Sequence, residues 1–201
     1  RMHEDIMRFP SEEFYEGKLI ADDSVAKHVA AEIVGVSPSD LTSRPVTYVD
    51  TAGAGFDEVW NEMLESRENK GEAELAVKLM RQLLEAGMKS KDVAILTPYV
   101  AQAKLLKTMV TEKGLEIGSV DGFQGREKEA IILSLVRSNE AGTIGFLSDM
   151  RRLNVAITRA RRCLIVIGDS ATIARHAVYA RFVAHANKLD SHRSSYEWPH
   201  G

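Results

Sequence analysis

The sequence has too little cysteine and too few clustered histidines to suggest a disulfide-stabilised or metal-stabilised protein. Its 201 residues include a single cysteine, Cys163, which excludes an internal disulfide. The six histidines are scattered without the spacing of zinc ligands, so no metal site is predicted. Because so little cysteine suits a reducing compartment, we expect the protein in the nucleus or cytoplasm.

Long apolar runs and an excess of positive charge are also missing. No run approaches the roughly 20 residues needed to cross a bilayer, and no signal peptide is recognisable, so we expect no membrane partner. The net charge is -3, which gives no general electrostatic attraction to nucleic acid. Nucleic-acid binding would need a local basic patch. One short stretch supplies it, with Arg151, Arg152, Arg159, Arg161 and Arg162.

Complete nucleotide-binding motifs are absent as well. No GxxxxGK[ST] loop occurs, and the segment 53–55 is a lone GxG without the third glycine of a dinucleotide site. The acidic pair of Asp57 and Glu58 resembles a magnesium-binding pair. Because no apolar strand precedes that pair, we interpret it as part of a solvated loop.

The pattern that is present is an alternation of strands and helices. Strands are predicted at 46–49, 93–96, 117–120, 130–135 and 163–168, and helices at 73–84, 101–110, 149–161 and 172–188. Continuous apolar strands such as 130–133 are typical of a parallel sheet buried on both faces. An α/β layered fold follows. Residues 1–45 are predicted to be irregular and residues 57–71 to be a loop or insertion. The domain is predicted to span residues 1–188, with a polar and disordered tail at 189–201.

A basic segment at 153–162 could bind phosphate. On a helix, Arg159 and Arg161 could not share one face, so they would address different partners. Arginine suits phosphate because its planar fork stays charged and donates two hydrogen bonds at once. The alternative is a solvated basic helix end that only complements the helix dipole.

Polar residues follow two of the predicted strands. The segment 119–128 has the sequence SVDGFQGREK, in which Gly122 and Gly125 permit tight turns and Glu127 could accept from a sugar hydroxyl. The segment 97–99 lies beyond the carboxyl end of its strand, where ligands bind in open α/β sheets, and Tyr99 offers an aromatic face. The alternatives are a polar surface turn at 119–128 and a loop tyrosine that covers the edge of the core.

The order of these segments resembles the second RecA-like domain of the superfamily 1 helicases of subfamily B, the group of the nonsense-mediated-decay helicases. The resemblance rests on segments at 1–3, 14–17, 97–102, 119–128, 136–139 and 153–162. Segments 22–28 and 50–53 indicate the branch of immunoglobulin mu-binding and DNA polymerase alpha-associated helicases. After the segment 1–3 this chain has Glu4, where many relatives have a proline. The resemblance implies a three-layer RecA-like domain with a mostly parallel central sheet flanked by helices.

The resemblance also implies a split active site. ATP and Mg²⁺ would lie between this domain and a first RecA-like domain that carries the Mg²⁺ ligands. The positions that match the catalytic arginines are Arg159, which would contact the γ-phosphate, and Arg1. Nucleotide-binding positions match at Gly125, Glu127 and, less closely, Arg161, whereas Asn154 and Thr158 match supporting positions. The single-strand track matches at Thr97, Pro98, Tyr99, Gln102, Ser119, Val120, Asp121 and Gln124.

The implied activity is ATP-dependent 5′ to 3′ movement along single-stranded DNA or RNA. Because the chain opens inside a motif at Arg1, we expect it to be part of a longer protein and inactive without the first domain. One alternative is a non-catalytic nucleic-acid- or ribosome-binding module that keeps a RecA-like fold. Another is a motor of opposite polarity from subfamily A.

Overall fold

A six-stranded, entirely parallel sheet forms the centre of the computed structural model, which describes residues 1–123 and 125–199. The strands are β1 (Val46–Asp50), β2 (Val59–Asn61), β3 (Ser66–Glu68), β4 (Val93–Thr97), β5 (Glu116–Ser119), β6 (Lys128–Ser134), β7 (Ala160–Gly168) and β8 (His192–Ser194). The sheet order is β5-β4-β6-β7-β1-β8, and β2 and β3 form a separate antiparallel hairpin.

Helices cover both faces of the sheet. They are α1 (Glu4–Phe14), α2 (Lys70–Glu85), α3 (Val100–Met109), α4 (Met150–Ile157), α5 (Ser170–Ile173) and α6 (Ala177–Lys188). One buried cluster joins α1, α4 and α6 to one face, and a second joins α2 and α3 to the other. The predicted three-layer α/β fold with apolar strands buried on both sides is therefore confirmed. Among the described residues, no helix is both long and apolar enough to span a membrane.

Helix α1 corrects the prediction that residues 1–45 are irregular. The His3 ring caps this helix by accepting a hydrogen bond from the Asp5 N–H at 3.0 Å. Ile6 and Phe9 are buried against the sheet, and Pro10 lies inside the helix. A proline inside a helix removes one backbone hydrogen bond and disfavours the helix. Here tertiary packing of the apolar face outweighs that loss.

The predicted helix at 149–161 is shorter than expected. Helix α4 ends at Ile157, and the Thr158 hydroxyl donates to the carbonyl of Asn154 at 2.8 Å. The chain then becomes extended, because the Lys128 N–H donates to the Arg159 carbonyl and starts the β6–β7 pairing. Arg159 therefore lies in a two-residue connection and Arg161 in β7. Contrary to the prediction, the two arginines do not project from one helix.

Two segments predicted as loop or tail are ordered parts of the fold. Residues 57–71 contain the β2–β3 hairpin, and Glu58 is not solvated, since its side chain is only 6% exposed. Beyond residue 188, β8 pairs in parallel with β1, and buried Trp198 donates to the Gln82 side chain at 2.8 Å. The chain is thus folded as far as residue 199, whereas the limits of the domain in a longer protein stay a prediction.

Candidate functional site

The segment 119–128 runs from the carboxyl-terminal ends of the strands (the carboxyl edge) back to their amino-terminal ends (the amino edge). At the carboxyl edge, where parallel strands end, Ser119 pairs with Thr97, and the Val120 N–H donates to the Thr97 carbonyl at 3.1 Å. At the amino edge, where strands begin, Lys128 pairs with Ala160. Residues 120–127 therefore return the chain from one edge to the other. Of the described residues, those predicted for nucleic acid lie at the carboxyl edge, and those predicted for nucleotide lie at the amino edge.

At the amino edge, two arginines converge on one carboxylate. The Arg1 guanidinium lies 3.6 Å from Glu127, and the Arg161 Nε lies 3.9 Å from the other carboxylate oxygen of the same residue. Arg161 also contacts Glu129 at 3.0 Å. The backbone N–H of His3 donates to the Arg161 carbonyl at 2.8 Å, which holds the start of the chain beside β7. The structure thus brings Arg1, Glu127 and Arg161 together at the amino edge.

Arg159 lies at the same edge without an acidic partner among the described residues. Its guanidinium donates to the carbonyls of Val155 at 3.1 Å and Arg126 at 3.2 Å, and to the Thr158 hydroxyl at 3.2 Å. These contacts use three of the five N–H groups of an arginine. Two N–H groups and an unneutralised positive charge remain, which is the state in which an arginine can bind an oxyanion.

The two residues predicted to support Arg159 contact different partners. Thr158 contacts its guanidinium directly, whereas the Asn154 side chain donates to the Tyr15 hydroxyl at 2.9 Å. Gly125 has a φ of +81°, so the turn before Arg126 requires the left-handed conformation that glycine adopts without strain. This turn places the Arg126 carbonyl where Arg159 can reach it.

The predicted nucleic-acid residues are only partly accessible at the carboxyl edge. Thr97, Tyr99, Gln102 and Val120 are buried, Pro98 and Ser119 are half-buried, and Asp121 is exposed. Gln124 lies outside the described residues. Tyr99 covers the edge of the core, which is the alternative that the sequence left open. Burial raises the pKa of its hydroxyl, which donates to the Ile144 carbonyl at 3.3 Å.

Comparisons with known proteins identify the family. An AAA domain family model matches residues 1–171. The chain is 44% identical over 200 residues to DNA-binding protein SMUBP-2 of Rattus norvegicus, covering 98% of this chain and 20% of that protein. It is 46% identical over 180 residues to DNA polymerase alpha-associated DNA helicase A of Schizosaccharomyces pombe, covering 86% and 27%. It is 35% identical over 194 residues to a regulator of nonsense transcripts 1 homolog of Neurospora crassa, covering 92% and 17%.

The chain belongs to the superfamily 1B helicases. A solved structure, the C-terminal domain of a possible DNA helicase from Lactobacillus plantarum, supports the same fold with a TM-score of 0.52 at 13% identity, covering 96% of this chain and 97% of that one. The chain spans about a fifth to a quarter of the first curated relatives. It corresponds to one helicase-family domain of these relatives.

This helicase domain contains a buried polar network that the sequence did not predict. Glu72 is fully buried, and its Oε2 accepts from the Ser134 hydroxyl at 2.7 Å and from the Val136 N–H at 2.8 Å. Burial raises the pKa of Glu72 to about 8. The Asn69 side chain caps α2 by accepting from the Glu72 N–H at 3.0 Å and donates to the Val136 carbonyl at 3.0 Å. Gln102 joins the network by donating to Ser134 at 3.1 Å.

The network holds a strained residue of the helicase domain. Val136 has a φ of +72°, which is rare for a β-branched side chain and costs roughly 1–3 kcal/mol. Both its N–H and its carbonyl are bound by buried side chains. The sequence signal for this arrangement is an asparagine three residues before a glutamate at a helix start.

Proposed function

We propose that this chain is the second motor domain of an ATP-dependent helicase that moves 5′ to 3′ along single-stranded DNA or RNA. The observation that carries the proposal is the position of Arg159 at the amino edge. Its charge is unneutralised among the described residues, and Arg1 and Arg161 lie beside it on Glu127. Such a group of arginines suits the polyphosphate of a nucleotide.

ATP supplies the phosphoanhydride bond that is hydrolysed, and the residues of this edge fit its charge. Arg159 would contact the γ-phosphate, where an arginine stabilises transition-state charge and contributes roughly 10³–10⁵ in rate. Arg1 would contact the phosphates, and Arg161 is a further phosphate or cross-domain contact. Glu127 and the Gly125 backbone would lie near the ribose. A first RecA-like domain would provide the Mg²⁺ ligands and the other wall of the cleft.

The carboxyl edge would carry half of a single-strand track. Pro98, Ser119 and Asp121 are accessible to a ligand, and Gln124 belongs to the same stretch of sequence. The side chains of Thr97, Tyr99, Gln102 and Val120 are buried, so their contribution would be the position of the backbone around them. A sequence-independent track needs backbone and stacking contacts, which DNA and RNA both offer.

The two edges are mechanically connected through α4 and the segment 119–128. Arg152, near the start of α4, lies 3.0 Å from Asp121, and Arg159 follows the end of α4 and binds the Arg126 carbonyl. Movement at either edge would therefore reach the other through two parallel links. Closure of the two domains would place Arg159 correctly only when ATP and strand are both bound, which couples hydrolysis to stepping.

The decisive experiment uses the parent protein with both motor domains. Arg159→Ala should lower ATP turnover by about 10³-fold or more while ATP binding is mostly retained. Arg81→Ala is the matched control, because Arg81 lies on α2 at the opposite face and should leave turnover unchanged. Unchanged turnover in Arg159→Ala contradicts the assignment. Absent turnover in the unmodified protein, with nucleic-acid binding intact, would favour the non-catalytic module.

The direction of movement needs a separate measurement. Translocation of the parent protein on single strands that carry a block at one end reports polarity directly. A 5′ to 3′ motor should displace a block at the 3′ end and leave a block at the 5′ end in place. The reverse result would assign the chain to a motor of opposite polarity.

A further inference from the structure

A large aromatic side chain projects from the carboxyl edge on a fixed backbone. Phe146 is 57% exposed, although it lies in a short 3₁₀ helix, residues 145–148, that is fastened on both sides. The Ile144 carbonyl accepts from the Tyr99 hydroxyl at 3.3 Å. The Leu147 carbonyl accepts from the buried Tyr179 hydroxyl at 2.7 Å, and the Leu147 side chain is itself buried. The exposed ring is thus held in place and is not part of a free loop.

Gly145 allows this segment to lie close to the core. Its φ is +51°, and a Cβ at this position would lie 2.2 Å from the Arg137 guanidinium and 3.3 Å from the Tyr99 hydroxyl. The 3₁₀ helix therefore rests directly on two buried side chains. The Phe146 ring stacks on Tyr99 with centroids 5.7 Å apart and an interplanar angle of 25°. This support fixes the orientation of the ring before any ligand arrives.

An arginine accompanies the exposed ring. The Arg152 guanidinium lies over Phe146, 5.5 Å from the ring centroid. Its Nε lies 3.0 and 3.1 Å from the two carboxylate oxygens of Asp121, and another of its nitrogens lies 3.7 Å from Asp149. Arg152 is about a third exposed, so a phosphate could approach it from solvent. An exposed ion pair contributes little stability, so exchange of Asp121 for a phosphate costs little.

We propose that Phe146 and Arg152 form a binding position for one nucleotide of a single strand, with the base stacked on Phe146 and the adjoining phosphate bound by Arg152. The proposal rests on the proposed function and extends its track to two residues that the sequence motifs did not include. Stacking on an aromatic ring accepts every base, and an arginine accepts phosphate from DNA or RNA. The position therefore suits a motor that does not read sequence.

Charge distinguishes Phe146 from another exposed aromatic side chain. Trp60 on the β2–β3 hairpin is 47% exposed and has Arg67 5.5 Å from its ring. However, the hairpin region also carries Asp57, Glu62, Glu65 and Glu68, none of which is buried. These four carboxylates repel a phosphate backbone at short range. The hairpin therefore offers an aromatic ring in an electrostatic environment that repels phosphate. This makes Trp60 the matched control.

The test measures binding of this chain to two fluorescent oligonucleotides of equal length, an oligothymidylate and its abasic counterpart. Phe146→Ala should weaken binding of the oligothymidylate about five-fold or more and leave binding of the abasic strand unchanged. Phe146→Trp should restore affinity, and Trp60→Ala should leave it unchanged. Arg152→Gln should reduce the slope of log K against log salt by about 0.7. Arg151→Gln, at a side chain that is 92% exposed and contacts Asp149, should reduce it less.

A cross-linking measurement covers the case in which affinities are low. An oligonucleotide with 5-iodouracil, irradiated in the complex, should attach to the peptide that contains Phe146. Attachment only elsewhere, or an equal loss on both strands in Phe146→Ala, overturns the nucleotide position. If the unmodified chain binds neither strand, the proposed track itself fails. If it binds both and neither Phe146→Ala nor Arg152→Gln changes binding, only the nucleotide position fails.

Discussion

The Arg137 guanidinium lies 2.8 Å from the Glu58 carboxylate, and the two side chains are only 4% and 6% exposed. The same carboxylate accepts from the Ser138 N–H at 2.8 Å and from the Asn139 side chain at 3.1 Å. Burial alone would lower the pKa of Arg137, but the hydrogen bonds to Glu58 and Tyr99 outweigh it and raise that pKa above its usual value. This pair fastens the β2–β3 hairpin to the carboxyl edge.

Removal of one partner of this pair should be costly. We expect Arg137→Met to lower the free energy of unfolding by up to roughly 3–5 kcal/mol, because the buried Glu58 keeps only the partly exposed Arg67 as a counter-charge. The double variant Arg137→Met with Glu58→Leu should recover part of that loss. Urea unfolding of the wild type, both single variants and the double variant measures the coupling. A double variant less stable than either single variant would show that the pair is not the dominant contact.

Glu72 should make stability depend on pH. Its folded pKa of about 8 lies above the usual value of 4.5 because burial disfavours the charged form. The folded state therefore holds a proton that the unfolded state loses, and the free energy of unfolding should fall as pH rises from about 4.5 to 8. Glu72→Gln keeps a hydrogen-bond acceptor and should remove this slope. Urea denaturation at pH 5, 6.5 and 8 gives the free energy of unfolding of the wild type and of Glu72→Gln. The same dependence on pH in both proteins would refute the contribution of Glu72.

Gly145 should tolerate a side chain less well than another glycine with positive φ. Gly145→Ala adds a Cβ that clashes with the Arg137 guanidinium, whereas Gly53, with φ +77°, has open space around the added atom. Both substitutions carry a conformational cost of roughly 1–2 kcal/mol, and Gly145→Ala should cost more because the arginine must move. Thermal unfolding ranks the two variants. Equal losses would mean that the 3₁₀ helix shifts freely.

Single-strand binding by this chain alone should be weak and sensitive to salt. Only a few phosphates can be contacted from half of a track, and each contributes a slope of about -0.7 in log K against log salt. Titration of a fluorescent oligonucleotide at several salt concentrations gives the slope. Tight binding that persists at high salt would contradict a track that is divided between two domains.

Much of the fold was predictable, because apolar strands and helices have distinct periodicities. The strands predicted at 93–96 and 163–168 and the helix predicted at 73–84 lie within β4, β7 and α2. Helix α1 was missed because Pro10 is locally unfavourable and only tertiary packing reveals why it is tolerated. Strand β8 was missed because three polar residues, 192–194, carry no strand pattern and are recruited by the free edge of β1.

The roles of the candidate site residues stay predictions. The structure shows only that Arg1, Glu127 and Arg161, which match motif positions, lie together. The burial of Gln102 and Tyr99 could not be read from a motif, because it depends on Asn69, Ser134 and Ile144 from distant segments. Glu58 was misjudged for the same reason, since one of its two counter-charges, Arg137, lies 79 residues away in the chain.

The position of β1 between β7 and β8 sets an order for folding during synthesis. Val46 pairs with Leu164 and Tyr48 pairs with His192, so both neighbours of β1 are made more than a hundred residues later. On the ribosome, β4, β5 and β6 can pair with one another while β1 is still an unpaired apolar strand. Chains of this kind expose aggregation-prone surface until β7 and β8 have been made. A pause in translation before residue 160 would prolong that exposure, and a chaperone that covers β1 would shorten it.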